Sequence, residues 1–118
     1  MSKSAAASME ERILAFVRRR GGGVSFAELD EHIKGFEAIE GDQYKLILGD
    51  FPNVVVWWAS REAIEAISGL MSKRKVCMNS TSHLTYVADG KIPRLPLARR
   101  VQEYAKPHWL PATLSLLT

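Results

Sequence analysis

The stretch that decides the fold is residues 60–76, SREAIEAISGLMSKRKV. Apolar side chains recur across it at helical spacing, at Ile64, Ile67, Leu70 and Met71. Ser60 stands in the N-cap position, and the three cations at residues 73–75 fall where a helix C-terminus favours positive charge. The stretch therefore predicts an amphipathic helix over residues 60–73 that leads directly into an extended segment.

Extended segments are predicted on both sides of this helix. Before it, residues 54–58 are rich in β-branched and aromatic side chains. After it, residues 76–79 and 84–88 read as strands joined by a polar connection of hairpin length. We therefore expect a three-stranded antiparallel sheet in which the last two segments form a β-hairpin.

Two further helices are predicted near the start of the chain, over residues 8–20 and 26–34. Ser8 and Ser25 each stand three residues before a glutamate, which is the sequence pattern of a capping box. Three consecutive glycines then end the first helix, because a helix interior does not tolerate them. The run Tyr44 to Leu48 fits either a short helix or a strand.

Three segments of different character are predicted along the chain. Residues 1–7 are small and polar, which predicts a disordered tail. Residues 8–90 contain the predicted helices and the sheet and form one domain. Residues 91–118 contain four prolines among basic and apolar residues, which predicts an extension that packs on the domain or on a partner.

Composition narrows the class of protein. The chain has 118 residues, of which 47% are hydrophobic and 25% are charged, as expected for a globular domain. The lone Cys77 cannot form an internal disulfide, and no signal peptide or membrane-spanning run is evident, so a cytoplasmic protein without membrane contact is expected.

The charge is distributed unevenly along the chain. Residues 1–60 carry 7 cations and 9 anions, a net charge of −2, and residues 61–118 carry 9 cations and 4 anions, a net charge of +5, which together give the total of +3. The basic half indicates either a polyanionic partner or an ordinary soluble surface with uneven charge.

No residues in the sequence form a recognisable catalytic or metal-binding pattern. The three histidines fall on a helix, a turn and a proline-rich segment, without the spacing that gathers ligands on one element. The glycine run at residues 21–23 lacks the features of a phosphate-binding loop. We therefore expect no catalytic residues, no metal, no cofactor and no small-molecule substrate, and the chain is predicted not to be an enzyme.

The order of the predicted elements resembles the winged-helix superfamily over about residues 8–90. The resemblance lies in Ile67-x-x-Leu70-Met71-x-Lys73-Arg74-Lys75-Val76 followed by Leu84-x-Tyr86-Val87, a helix that leads into a wing. It implies an α+β fold, a winged-helix-like domain in which helices precede a small three-stranded antiparallel sheet with a β-hairpin wing. In such proteins one helix enters the major groove. Either the helix at residues 60–73 or the segment at residues 42–49 takes the recognition position, and each choice departs from the usual spacing.

The resemblance implies a non-enzymatic nucleic-acid-binding module for double-stranded DNA, in the class of transcriptional, phage or mobile-element regulators. The residues expected to contact DNA are Arg18, Arg19, Arg20, Arg61, Ser68, Ser72, Lys73, Arg74 and Lys75. The same cations also suit helix C-termini, so solvated helix ends are the competing interpretation of the six that end the two helices.

An alternative is a protein-interaction or assembly module, because winged helices also serve in complexes. The apolar C-terminal extension would then bind a second copy of the chain or another protein. Its expected contact residues are Tyr104, His108, Trp109 and Leu110. The competing interpretation is that this segment packs on its own domain.

Overall fold

A computed structural model of the chain describes residues 5–39, 41, 43–48 and 50–117. The helices are α1 (Ala5–Arg20), α2 (Phe26–His32), α3 (Arg61–Ser72) and α4 (Leu84–Asp89). The strands are β1 (Val24–Ser25), β2 (Tyr44–Leu48), β3 (Phe51–Ala59), β4 (Val76–Ser80), β5 (His108–Trp109) and β6 (Ala112–Leu116). Within the described residues the fold is therefore α+β, with four helices and two three-stranded sheets, and the predicted class is confirmed.

The first sheet, called sheet A here, has the strand order β1-β6-β4 and is antiparallel throughout. On one side of β6, Leu114 pairs with Val24 of β1. On the other side, Leu116 pairs with Val76 of β4. The stretch 91–118, which the sequence predicts to be an extension, thus supplies the central strand that joins the other two.

The predicted hairpin wing is wrong. Residues 84–88 lie in helix α4, and β4 pairs with β6 rather than with the segment that follows it. Residues 54–58 belong to β3, which lies in the second sheet. The predicted three-stranded sheet of residues 54–58, 76–79 and 84–88 therefore does not form.

Tertiary contacts explain why α4 is helical despite residues that favour strands. The helix buries the ring of Tyr86, whose hydroxyl accepts a hydrogen bond from the Phe26 N–H at 3.0 Å and donates one to the carbonyl oxygen of Ala112. Gly90, at φ 72°, then ends the helix in the left-handed conformation. The packing of Tyr86 outweighs the strand propensity of its neighbours, because that propensity depends strongly on context.

The second sheet, called sheet B here, has the order β2-β3-β5. β2 is antiparallel to β3, so the extended alternative for residues 44–48 is confirmed. β5 is parallel to β3, with His108 opposite Val54. The indole N–H of Trp109 also donates to the carbonyl oxygen of Val56 at 3.1 Å, which fixes β5 against the long central strand.

The helix boundaries follow local sequence signals. α1 begins at Ala5, before the predicted cap at Ser8, because alanines are strong helix formers. The predicted tail therefore contributes residues 5–7 to α1, and its residues 1–4 lie outside the described residues. The capping box of Ser25 and Glu28 at the start of α2 is confirmed, with N···O distances of 3.1 and 3.3 Å.

The core lies between the helices and the two sheets. α1 packs against α3. Of the four residues in the predicted apolar stripe, Ile67 and Leu70 are buried, whereas Ile64 and Met71 are only partly buried. The buried residues of α3 are Ala63, Ala66, Ile67 and Leu70. Three aromatic rings fill the centre, with the ring centroid of Tyr86 5.2 Å from that of Trp57 and 5.0 Å from that of Trp109.

Candidate nucleic-acid interface

The chain turns from α3 into β4 through the three predicted cations. Lys73 is the C-cap of α3, and its Nζ contacts the Glu10 carboxylate oxygens at 2.9 and 3.1 Å. Arg74 has φ 57°, in the left-handed region, and the Lys75 N–H donates to the carbonyl oxygen of Leu70 at 2.9 Å. This backbone pattern ends the helix and directs the chain into sheet A.

Lys73 differs from the two cations that follow it. Lys73 already holds a carboxylate of α1, so part of its charge is neutralised within the chain. The side chains of Arg74 and Lys75 are exposed, and neither forms an ion pair with any residue that the structure describes. Two of the three predicted contacts therefore remain available to an anionic partner.

The arginines at the end of α1 have distinct surroundings. The guanidinium carbons of Arg19 and Arg20 lie 5.8 and 5.1 Å from the ring centroid of Phe16, within the range of a cation–π interaction. Arg20 also lies 3.5 Å from the carboxylate of Glu28. Arg18 is exposed and has no ion pair with the described residues.

The two basic segments, residues 18–20 and residues 73–75, lead into the same end of sheet A. The Gly23 N–H donates to Oγ of Ser115 at 2.8 Å, while Cys77 pairs with Ser115 from the other side. Neighbouring strands lie about 4.8 Å apart, so roughly 10 Å separates the backbones of Gly23 and Cys77. We use the name basic corner for five cations of these two segments, Arg18, Arg19, Arg20, Arg74 and Lys75.

The outward face of α3 carries the other predicted DNA contacts. Arg61, Ser68 and Ser72 are exposed and share one stripe of the helix, as their spacing predicts. Glu65 lies in the same stripe, and Nε of Arg61 donates to its carboxylate at 3.0 Å. This face is therefore less positive than the basic corner.

The structure corrects the placement of two predicted partner contacts. Trp109 and Leu110 are only 1% and 7% exposed, because β5 runs beside β3 and carries them into the chain's own core. Tyr104 and His108 are half-buried, and their rings stack with centroids 3.9 Å apart. Only this second pair is accessible on the surface of the chain.

Sequence reasoning missed a cleft of about 400 Å³ beside sheet B. Asp30 lies in its wall with a side chain only 4% exposed, and its Oδ2 accepts hydrogen bonds from Nε1 of Trp57 at 3.0 Å and Nζ of Lys91 at 2.9 Å. Its Oδ1 is buried without a hydrogen-bond partner among the described residues. Lys91 also lies 3.5 Å from Glu37. No local signal reveals this cluster, because Asp30 and Lys91 are far apart in sequence.

Neither a protein-family model, nor a curated protein, nor a solved structure matches this chain. Among the residues that the structure describes, no three histidine, cysteine or acidic side chains are grouped to hold a metal ion. None of the described helices is long and apolar enough to cross a membrane. The geometry of the chain alone therefore carries the functional argument.

Burial raises the pKa of Asp30 above its ordinary value, against the opposing hydrogen bond and charge of Lys91. The folded chain thus binds this proton more tightly than the unfolded chain does. The contribution of Asp30 to stability is therefore greatest below about pH 4 and is lost as the pH rises through the raised pKa. We expect Asp30→Asn to flatten the pH dependence of the free energy of unfolding in that window.

Urea denaturation at a series of pH values from about 4 upward measures this dependence. Glu31→Gln is the matched control, because it removes an exposed carboxyl from the neighbouring residue of the same helix. An identical pH profile in the Asp30→Asn variant and the parent chain contradicts the prediction.

Proposed function

We propose that the chain is a non-enzymatic nucleic-acid-binding module for double-stranded DNA, in the class of transcriptional, phage or mobile-element regulators. The observation that carries the proposal is the basic corner, where folding brings two distant cationic segments to one end of sheet A. Arg18, Arg74 and Lys75 have no ion pairs with described residues there. Clustered cations of this kind bind phosphate with release of counterions.

A modified winged-helix arrangement of the elements supports the same partner, double-stranded DNA. With β2, β3, α4 and β5 set aside, the order α1, β1, α2, α3, β4, β6 resembles that of a winged helix, in which β4 and β6 are the paired strands after α3. In this proposal β2 and β3 are an insertion between α2 and α3, and residues 81–111 replace the short turn of the wing. α3 is then the recognition helix, and it presents Arg61, Ser68 and Ser72 to the major groove.

Fluorescence anisotropy with a labelled DNA duplex at several salt concentrations tests the proposal. If Arg18, Arg74 and Lys75 each contact a phosphate, the logarithm of the binding constant should fall with the logarithm of salt concentration at a slope near −2.7, about −0.9 for each contact. A flat dependence on salt, or no duplex binding at low salt, overturns the proposal.

A protein-interaction or assembly role is the second candidate. The observation that favours it is on α4, where Leu84 and Val87 are one helical turn apart and are 63% and 49% exposed. Exposed apolar neighbours of this kind mark contact surfaces. Light scattering after size exclusion should then show that the parent chain is a dimer. The double variant Leu84→Ser/Val87→Ser should be a monomer. A parent chain that is already monomeric contradicts self-assembly through α4.

A further inference from the structure

The segment that connects α4 to β5 is strongly basic. Residues 91–108 carry five cations and one carboxylate, a net charge of +4. The cations are Lys91, Arg94, Arg99, Arg100 and Lys106. Lys91 pairs with Asp30 and Glu37, whereas the other four form no ion pair with the described residues. The segment therefore holds a concentration of positive charge that the fold does not neutralise.

A shallow groove of about 260 Å³ runs through this segment. The residues that line it are Leu97, Arg99, Arg100, Gln102, Tyr104 and His108. The Tyr104 hydroxyl donates to the carbonyl oxygen of Arg100 at 3.0 Å and accepts from its N–H at 3.4 Å, so the arginine backbone is tied to the aromatic pair. Asn53 of β3 in turn donates to the carbonyl oxygen of Tyr104 at 2.7 Å. The groove is thus anchored to sheet B.

The groove is separate from the basic corner. Arg99 also lines a cavity with residues 80–83, where β4 has ended, whereas Arg74 and Lys75 precede the start of β4. Val76 and Ser80 lie at the two ends of this strand, roughly 14 Å apart at about 3.4 Å per residue. The groove therefore lies near the end of sheet A that is opposite to the basic corner.

We propose that the groove binds one unpaired strand of nucleic acid, with phosphates against Arg99 and Arg100 and a base stacked against the Tyr104–His108 pair. Cations beside aromatic rings form the usual single-strand site, because every base offers a π-face and every nucleotide a phosphate. A paired base is already stacked inside its duplex, so the aromatic pair favours an unpaired one. The inference takes its class of partner from the proposed function and uses different residues.

The charge part of the inference is tested with the double variant Arg99→Gln/Arg100→Gln. Fluorescence anisotropy with labelled oligothymidine and oligouridine measures binding to single strands of the two sugars, and a labelled duplex is measured beside them. We expect binding of the single strand to weaken about tenfold or more at about 0.1 M salt, with a loss of roughly 1.4 in salt slope, because each phosphate contact on a single strand contributes about 0.7. Duplex binding should change far less.

The matched control is Lys34→Gln/Lys45→Gln, which removes two exposed charges outside both surfaces and should leave single-strand binding within about twofold of the parent. His108→Leu should weaken it by roughly fivefold to a hundredfold through lost stacking, and His108→Phe should restore it. Urea denaturation confirms that each variant is folded.

Three outcomes overturn the inference: unchanged single-strand binding in the arginine variant, equal loss in the lysine control, or equal competition by inorganic polyphosphate of the same charge. A parent chain that binds the duplex without binding single strands overturns this inference alone. Binding of single strands without the duplex overturns the proposed function alone.

Discussion

Replacing Ile67 with alanine is expected to lower the free energy of unfolding by about 2–4 kcal/mol, as for other large-to-small substitutions in a well-packed core. Ile67 of α3 is fully buried in the hydrophobic core. The smaller side chain loses transfer free energy and leaves a cavity that the surrounding residues fill only in part. Chemical denaturation of the parent chain and the variant measures the difference.

Ser68→Ala is the matched control for this substitution. Ser68 is the next residue of the same helix and is exposed, so its replacement should change the free energy of unfolding by less than about 0.5 kcal/mol. A loss as small as that in the Ile67→Ala variant would show that this face of α3 is not part of the core.

Replacing Arg74 and Lys75 together with glutamine is expected to weaken duplex binding on the order of tenfold to a hundredfold at about 0.1 M salt. Both cations lack ion pairs with described residues, so both are free to contact phosphate. The salt slope should fall by about 1.8, which corresponds to two contacts. Sequence preference should change less, because phosphate contacts position a protein and base contacts specify the site.

Adding Lys73→Gln to the Arg74→Gln/Lys75→Gln variant tests whether two or three of these cations contact phosphate. From sequence alone, all three cations are candidates, and the triple variant should lose close to 2.7 in slope. In the structure Lys73 contacts Glu10, so the third substitution should add little. Unaltered affinity and slope in the Arg74→Gln/Lys75→Gln variant contradict the assignment of the basic corner.

Local signals predicted α1, α2 and α3 well, but they missed α4 and predicted the strand pairings poorly. The Ser25 and Ser60 caps and the glycines after Arg20 act within one turn of the chain, so the sequence alone reveals them. The partner of β4 lies more than thirty residues further along, in β6. No periodicity identifies such a partner, and the nearer segment at residues 84–88 has the composition of a strand.

The candidate site shows the same division. The residues of the basic corner are each visible as cations at helix ends, but only the pairing of β6 with both neighbours brings them together. At Trp109 the sequence predicted a contact with a partner, but the side chain is buried in the chain's own core. Its apolar neighbours in the sequence suit either role. The environment of Asp30 is likewise invisible in sequence, because it depends on Trp57 and Lys91.

The central position of β6 in sheet A has a consequence for the way the chain reaches its native state. Val24 and Leu114 are neighbours across the sheet although 90 positions separate them, so the contact order of this sheet is high. Folding that depends on such distant pairings is slow, because the chain loses the entropy of closing a long loop before the contacts stabilise it. During synthesis, β1 and β4 remain unpaired edges until residues 112–116 have emerged. The nascent chain is therefore most prone to aggregation just before its last strand arrives.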